Sequence, residues 1–157
     1  MTVLGIDPGV SGGLALVGSG GSTAWKMPAT ERDVADLVLW IRDRHPGLVA
    51  VIEQVHAMPG QGVTSMFTFG RGYGFLRGVL VTLGIPIHDV TPLTWQKAMG
   101  CLSGGNKNVT KRRAQELWPD VKVTHSIADS LLIAEYGRRL HCGNRSGPTN
   151  GLELGPK

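Results

Sequence analysis

A length of 157 residues with 41% apolar and 18% charged content fits one globular domain and excludes a wholly disordered chain. Two cysteines, Cys101 and Cys142, have no metal-ligand spacing and form no disulfide framework, which fits a reducing cytoplasm. The net charge of +4 is uneven: residues 1–60 carry four Lys/Arg against six Asp/Glu, residues 61–157 twelve against six. Asp7 falls where the apolar core of a signal peptide would lie, and no apolar run reaches the length of a membrane span, so neither a leader nor a membrane segment is expected.

In chain order, "TVLGIDPG" and "GGLALVGSGG" read as two short strands joined by a Pro-Gly turn, and "STAWKMP" as a third. "TERDVADLVLWIRDRHPG" spaces Val34, Leu37, Val38 and Ile41 as a helix, opened by a Thr30/Asp33 capping pattern and stopped by Pro46-Gly47. "LVAVIEQV" is a nearly all-apolar strand of the kind buried inside a sheet, with Glu53 at its end. Residues 63–83 read as a long helix whose Gly70, Gly74 and Gly78 share one face, an expectation of close packing there. "IPIHDVTP" gives a fifth strand, "PLTWQKAMG" a short helix, "LSGGNKN" a basic loop and "VTKRRAQELWP" a helix ended by Pro119. "HSIADSLLIAEYGRRL" is the last helix, with Ile127, Leu131 and Ala134 on a buried stripe. The order predicts an α/β layered domain over residues 1–140: a mixed five-stranded sheet, three antiparallel strands then parallel ones, flanked by helices. The first strand is expected at its centre, beside the strand ending in Glu53. Residues 141–157 lack periodicity and read as a flexible tail.

Three carboxylates stand in apolar surroundings: Asp7 after "VLGI", Glu53 after "LVAVI" and Asp129 within "SIADSLLIA". Buried acids need a partner or a metal, and no cationic residue sits close to any of the three in sequence. A cluster of hard oxygen ligands suits Mg²⁺, and two such ions can clamp the attacking and leaving oxygens of a phosphodiester. Each acid also has a plainer reading. Asp7 before Pro-Gly fits a turn, Glu53 fits the solvent end of a strand, and Ser126-x-x-Asp129 is a helix-capping pattern. Six basic residues between Lys97 and Lys122 form either a phosphate-backbone footprint or a solvated face.

On "GIDPGVSGGLA", "VIEQV" and "ADSLLIAEYG", in that order and spacing over roughly residues 2–140, the chain resembles the RuvC family of Holliday-junction resolvases, within the ribonuclease H-like nucleases. The short, glycine-rich form resembles phage and prophage members. The resemblance implies a homodimer acting in the bacterial cytoplasm on branched DNA, chiefly four-way junctions, and no small-molecule substrate. It implies paired symmetric nicks by hydrolysis with two Mg²⁺ ions, Mn²⁺ substituting.

By that resemblance Asp7, Glu53 and Asp129 match metal-ligating catalytic acids. The family places an Asp or His three residues before the last acid; here that position is Ser126. His125, four residues before Asp129, is the nearest substitute, as ligand or proton carrier, unless a water held by Ser126 fills the place. "TWQKAMG" and "GGNKNVTKRR" match the DNA-contacting region, which makes Lys97, Lys107, Lys111, Arg112 and Arg113 phosphate-binding candidates, with Lys107 nearest the scissile bond. Arg71 is a further candidate. His56 stands where well-studied members carry a junction-wedging aromatic, while Trp95 reads as a packing residue. Competing readings are a nuclease for other branched DNA or RNA/DNA hybrids, a non-catalytic junction binder, and an ATP-binding protein of the actin/sugar-kinase type. The last needs two duplicated domains and a second glycine-rich loop that 157 residues do not supply.

Overall fold

Strand β1, Val3–Asp7, sends its side chains alternately into two layers of the molecule in this computed structural model, which describes residues 1–54 and 62–143. Leu4 and Ile6 enter one apolar cluster and Val3 the other, so period two places Gly5 and Asp7 on the Val3 face. β1 pairs antiparallel with β2, Gly13–Gly18, in the register Val3↔Val17 and Asp7↔Gly13. β2 pairs antiparallel with the edge strand β3, Gly21–Lys26. On its other side β1 runs parallel to β4, Val49–Glu53, with Ile6 opposite Ile52, and β4 runs parallel to β5, Ile87–Val90. The order β3-β2-β1-β4-β5 is the mixed sheet expected from the sequence, with the first strand central.

Helices α1, Glu31–Arg44, and α2, Val63–Thr82, cover the Leu4/Ile6 face through Val34, Val38, Ile41, Leu76 and Leu80. α1 starts where its cap dictates: the Thr30 hydroxyl oxygen accepts from the Asp33 amide at 3.1 Å. Helices α3, Pro92–Ala98, α4, Lys107–Leu117, and α5, His125–Gly143, cover the Val3 face. Among the described residues no helix is long and apolar enough to cross a membrane.

Four expectations are revised. Among the described residues close backbone approach does not occur at Gly70, Gly74 and Gly78, where an added Cβ would meet nothing within 4 Å. It occurs at Gly5, whose Cβ would stand 2.3 Å from the Ser130 carbonyl oxygen and 2.4 Å from the Ala134 nitrogen, and at Gly13, 2.6 Å from the Ser126 carbonyl oxygen. Helical spacing reveals a smooth face but not what lies against it. Secondly, α4 begins two residues before Val109, because the Asn106 side chain accepts from the Asn108 amide at 3.0 Å and caps it at Lys107. Thirdly, Ser126 does not cap α5. The helix already includes His125, and the Thr124 carbonyl accepts from the Ala128 amide at 3.1 Å. Lastly, α5 runs to Gly143, three residues past the helix end expected at Leu140, and residues 144–157 of the expected tail lie outside the described residues. Along it Leu131 and Ala134 are fully buried and Ile127 packs at the margin of the core.

Candidate active site

Asp7 and Glu53 stand next to each other at the carboxyl ends of β1 and β4, one residue beyond the Ile6↔Ile52 pair. Both continue the Val3 and Val51 face, the side on which α5 lies. The contacts at Gly5 and Gly13 press α5 against β1 and β2, bringing its second turn, with Asp129, to the same end of the sheet. The following turn must stay small: a Cβ on Gly12 would stand 2.9 Å from Asp7 Oδ2 and 2.2 Å from its carbonyl oxygen. The glycines of the first hairpin are therefore space for a helix and for a carboxylate.

Burial raises all three acids, and their charges act on one another in part. Burial, then the charges of Glu53 and Asp129, push the Asp7 carboxyl up to about 8, while Lys107 pulls it down. Glu53 is raised by burial and further by Asp129, against a lowering hydrogen bond from Trp95. Asp129 is raised by burial, against Thr110, Lys107 and His125. Oδ1 of Asp129 is buried and has no hydrogen-bond partner among the described residues. Glu135 shows how this chain satisfies an acid that is not in the cluster. Burial pushes its carboxyl up, but Arg138 at 2.7 and 2.9 Å and Arg139 at 2.8 Å outweigh that and hold it below the ordinary range. None of the three clustered acids has an ion pair among the described residues.

Three carboxylates at one end of the sheet, one with a buried oxygen unpartnered among the described residues, match a hard divalent cation in donor chemistry. As placed, however, no three His, Cys, Asp or Glu side chains among the described residues stand close enough to ligate one ion together. His125, the first residue of α5, is exposed and near enough to Asp129 for its charge to be felt there. Ser126 is half-buried, its carbonyl against β2.

Lys107 reaches two of the acids, its charge acting on both Asp7 and Asp129. It occupies the first turn of α4, where the helix dipole disfavours a cation, so local helix energetics do not account for it. Lys97 and Arg112 are exposed, Arg112 only 3.9 Å from Glu116, and Lys111 is half-buried. Arg113 is engaged within the fold, donating to the Met99 carbonyl at 2.9 Å and pairing with Glu116 at 3.1 Å. Arg71, on α2, pairs with Glu31 at 3.1 Å. His56 lies outside the described residues.

Sequence reading missed two members of the site. Trp95 is fully buried in the core, yet its indole Nε1 donates to Glu53 Oε2 at 2.6 Å. The buried Thr110 hydroxyl lies between the Lys107 carbonyl, 3.2 Å away, and Asp129; its single proton serves one of them. The available signal was the indole N–H itself, which in an apolar core must find an acceptor.

Sheet order, helix placement and the acidic end define a ribonuclease H-like α/β fold. More particularly it is the fold of RuvC. Thermus thermophilus RuvC bound to a Holliday-junction substrate matches with a TM-score of 0.63 and 18% identity, over 89% of this chain and 96% of that one. A second structure of Thermus thermophilus RuvC matches with a TM-score of 0.59 and 18% identity, over 90% and 97%. No protein-family model matches the chain, and neither does any curated protein.

Proposed function

We propose that this chain is a divalent-metal-dependent, structure-selective DNA endonuclease that resolves four-way junctions by paired symmetric nicks. The observation that carries the reading is the gathering of Asp7, Glu53 and Asp129 at one end of the sheet, each raised chiefly by burial and none in an ion pair among the described residues. These residues would hold Mg²⁺ or Mn²⁺, with His125 at the margin. When bound, the ions supply charge neutralisation at the scissile phosphate and a more acidic water. The chain's own groups do the rest. Lys107 sets an ammonium beside the acids, where a phosphate oxygen needs a counter-charge, and Lys97, Lys111 and Arg112 extend the basic surface along α3 and α4. The hydrogen bond from Trp95 restrains Glu53.

Two nicks need two sites, and α2 supports a homodimer. Residues 62–72 are exposed throughout, including Val63, Met66, Phe67 and Phe69. Phe67 is 73% exposed, and Gly70, Gly74 and Gly78 follow it along an uncovered face. A bulky end and a glycine groove on one helix are self-complementary across a twofold axis, so a second copy is the fitting occupant.

The test is incubation with a labelled four-way junction, a Y-fork, linear duplex and an RNA/DNA hybrid, with and without Mg²⁺ or Mn²⁺. Metal-dependent paired nicks in the junction, lost in Asp7→Asn, Glu53→Gln and Asp129→Asn, are expected. Preferential cutting of the fork or hybrid, or junction binding without cutting, would overturn the resolvase reading.

A further inference from the structure

Trp95 sits on a seven-residue helix whose start is fixed to the sheet. β5 ends at Val90, opposite Glu53 in the β4–β5 register, and the Gln54 amide donates to the Val90 carbonyl at 2.7 Å. The next residue, Thr91, caps α3, its hydroxyl oxygen accepting from the Thr94 amide at 3.3 Å, with Pro92 in the first turn. Trp95 follows with 0% exposure, inside the core cluster that also holds Met99, Cys101, Ala114 and Leu132. An indole N–H donates only, does not titrate at any working pH, and here has its ring immobilised by the core. It holds one oxygen of Glu53, leaving Oε1 without a hydrogen bond among the described residues.

We propose that Trp95 is a positioning residue for the acidic centre: its indole N–H fixes the Glu53 carboxylate in one orientation and thereby sets the divalent-metal affinity of the site. The proposal rests on the reading of Glu53 as a metal ligand. A donor behind a ligand removes the rotamer freedom that binding would otherwise have to freeze, and loss of such a partner typically weakens metal binding or activity by about 10- to 100-fold.

The experiment is direct Mn²⁺ binding to the DNA-free protein, read from the electron paramagnetic resonance signal of free Mn²⁺, for the parent, Trp95→Phe, Asp7→Asn and Glu53→Gln. Trp95→Phe keeps an aromatic ring and removes the donor. It is expected to bind Mn²⁺ about 10-fold more weakly than the parent at an unchanged melting temperature. A merely structural role would lower the melting temperature and leave the Mn²⁺ affinity within twofold, which would overturn the proposal. Should Trp95→Phe not fold, the parent still decides. Its four indole N–H resonances are resolvable in a ¹H–¹⁵N spectrum. One is expected to shift both on Mg²⁺ addition and in Glu53→Gln; no indole response to either sinks the proposal. The two readings fail differently. Mn²⁺ affinity insensitive to Asp7→Asn and Glu53→Gln removes the acidic metal site and this proposal together, whereas affinity lost in those variants but kept in Trp95→Phe removes only Trp95.

Discussion

Gly5 on β1 lies so close beneath Ala134 on α5 that a Cβ on it would stand 2.4 Å from the Ala134 nitrogen. That contact seats α5, and so Asp129, against the strand that carries Asp7. Gly5→Ala is expected to push the helix off the sheet and to destabilise the protein by about 3 kcal/mol, the upper part of the range for overpacking. Gly20→Ala, where nothing lies within 4 Å among the described residues, is the control outside the proposed dimer face and should not lower the stability of the fold. Chemical denaturation of both variants checks this; equal stabilities would remove Gly5 as the seat of the helix.

Asp7 gives a pH signature that does not depend on catalysis. Its carboxyl is raised from 3.8 to about 8 in the fold, by burial first and then by Glu53 and Asp129. Between those values the folded state holds a proton that the unfolded chain has released. The metal-free protein is therefore favoured at the acid end and loses that stability as pH rises through the window. Asp7→Asn has no such proton to lose. Without metal at pH 8 it is expected to melt at least about 3 °C above the parent, with the gap closing towards pH 4. Melting curves in chelator across this range test it; a variant no more stable at pH 8 would contradict the burial of the charge.

Lys107 acts on Asp7 and Asp129, unlike the outlying basic residues. Lys107→Ala is expected to slow nicking by about 100-fold, while reducing the salt dependence of junction binding by about one phosphate contact. Arg112→Ala should lower binding by a similar salt increment and leave the cleavage rate at saturating protein unchanged. Single-turnover kinetics over a salt series separate the two; equal cleavage defects would remove the special role of Lys107.

His125 is exposed and close to Asp129. His125→Ala is expected to cost about 10-fold in nicking, with a different loss in Mn²⁺ than in Mg²⁺, because imidazole is the softer ligand. Unchanged rates in both metals would take it out of the site.

Phe67 is 73% exposed on a stretch of α2 that nothing covers among the described residues. Phe67→Asp is expected to fold normally, because no core contact is lost, and to sediment as a monomer, while the parent is expected to sediment as a dimer. The same sedimentation coefficient for both would move the interface elsewhere.

Much of this was legible from local pattern alone. Strand alternation, the Thr30 cap and the Pro46-Gly47 stop are energetics of neighbouring residues, so the elements and the central position of β1 could be read directly. The acids were visible too, because a lone carboxylate after "VLGI" or "LVAVI" conflicts with its surroundings. Parity even assigns Asp7 to the face of Val3, and Glu53 to that of Val51. Which helix would cover that face was not written locally. The glycines that admit α5 lie on β1 and β2, whereas the periodic glycines of α2 admit nothing among the described residues, and sequence spacing does not distinguish the two. Nor did spacing show that a buried tryptophan 42 residues away would hold Glu53. Close approach and hydrogen bonding between distant segments arise only when the layers are packed, and there the tertiary structure alone decided.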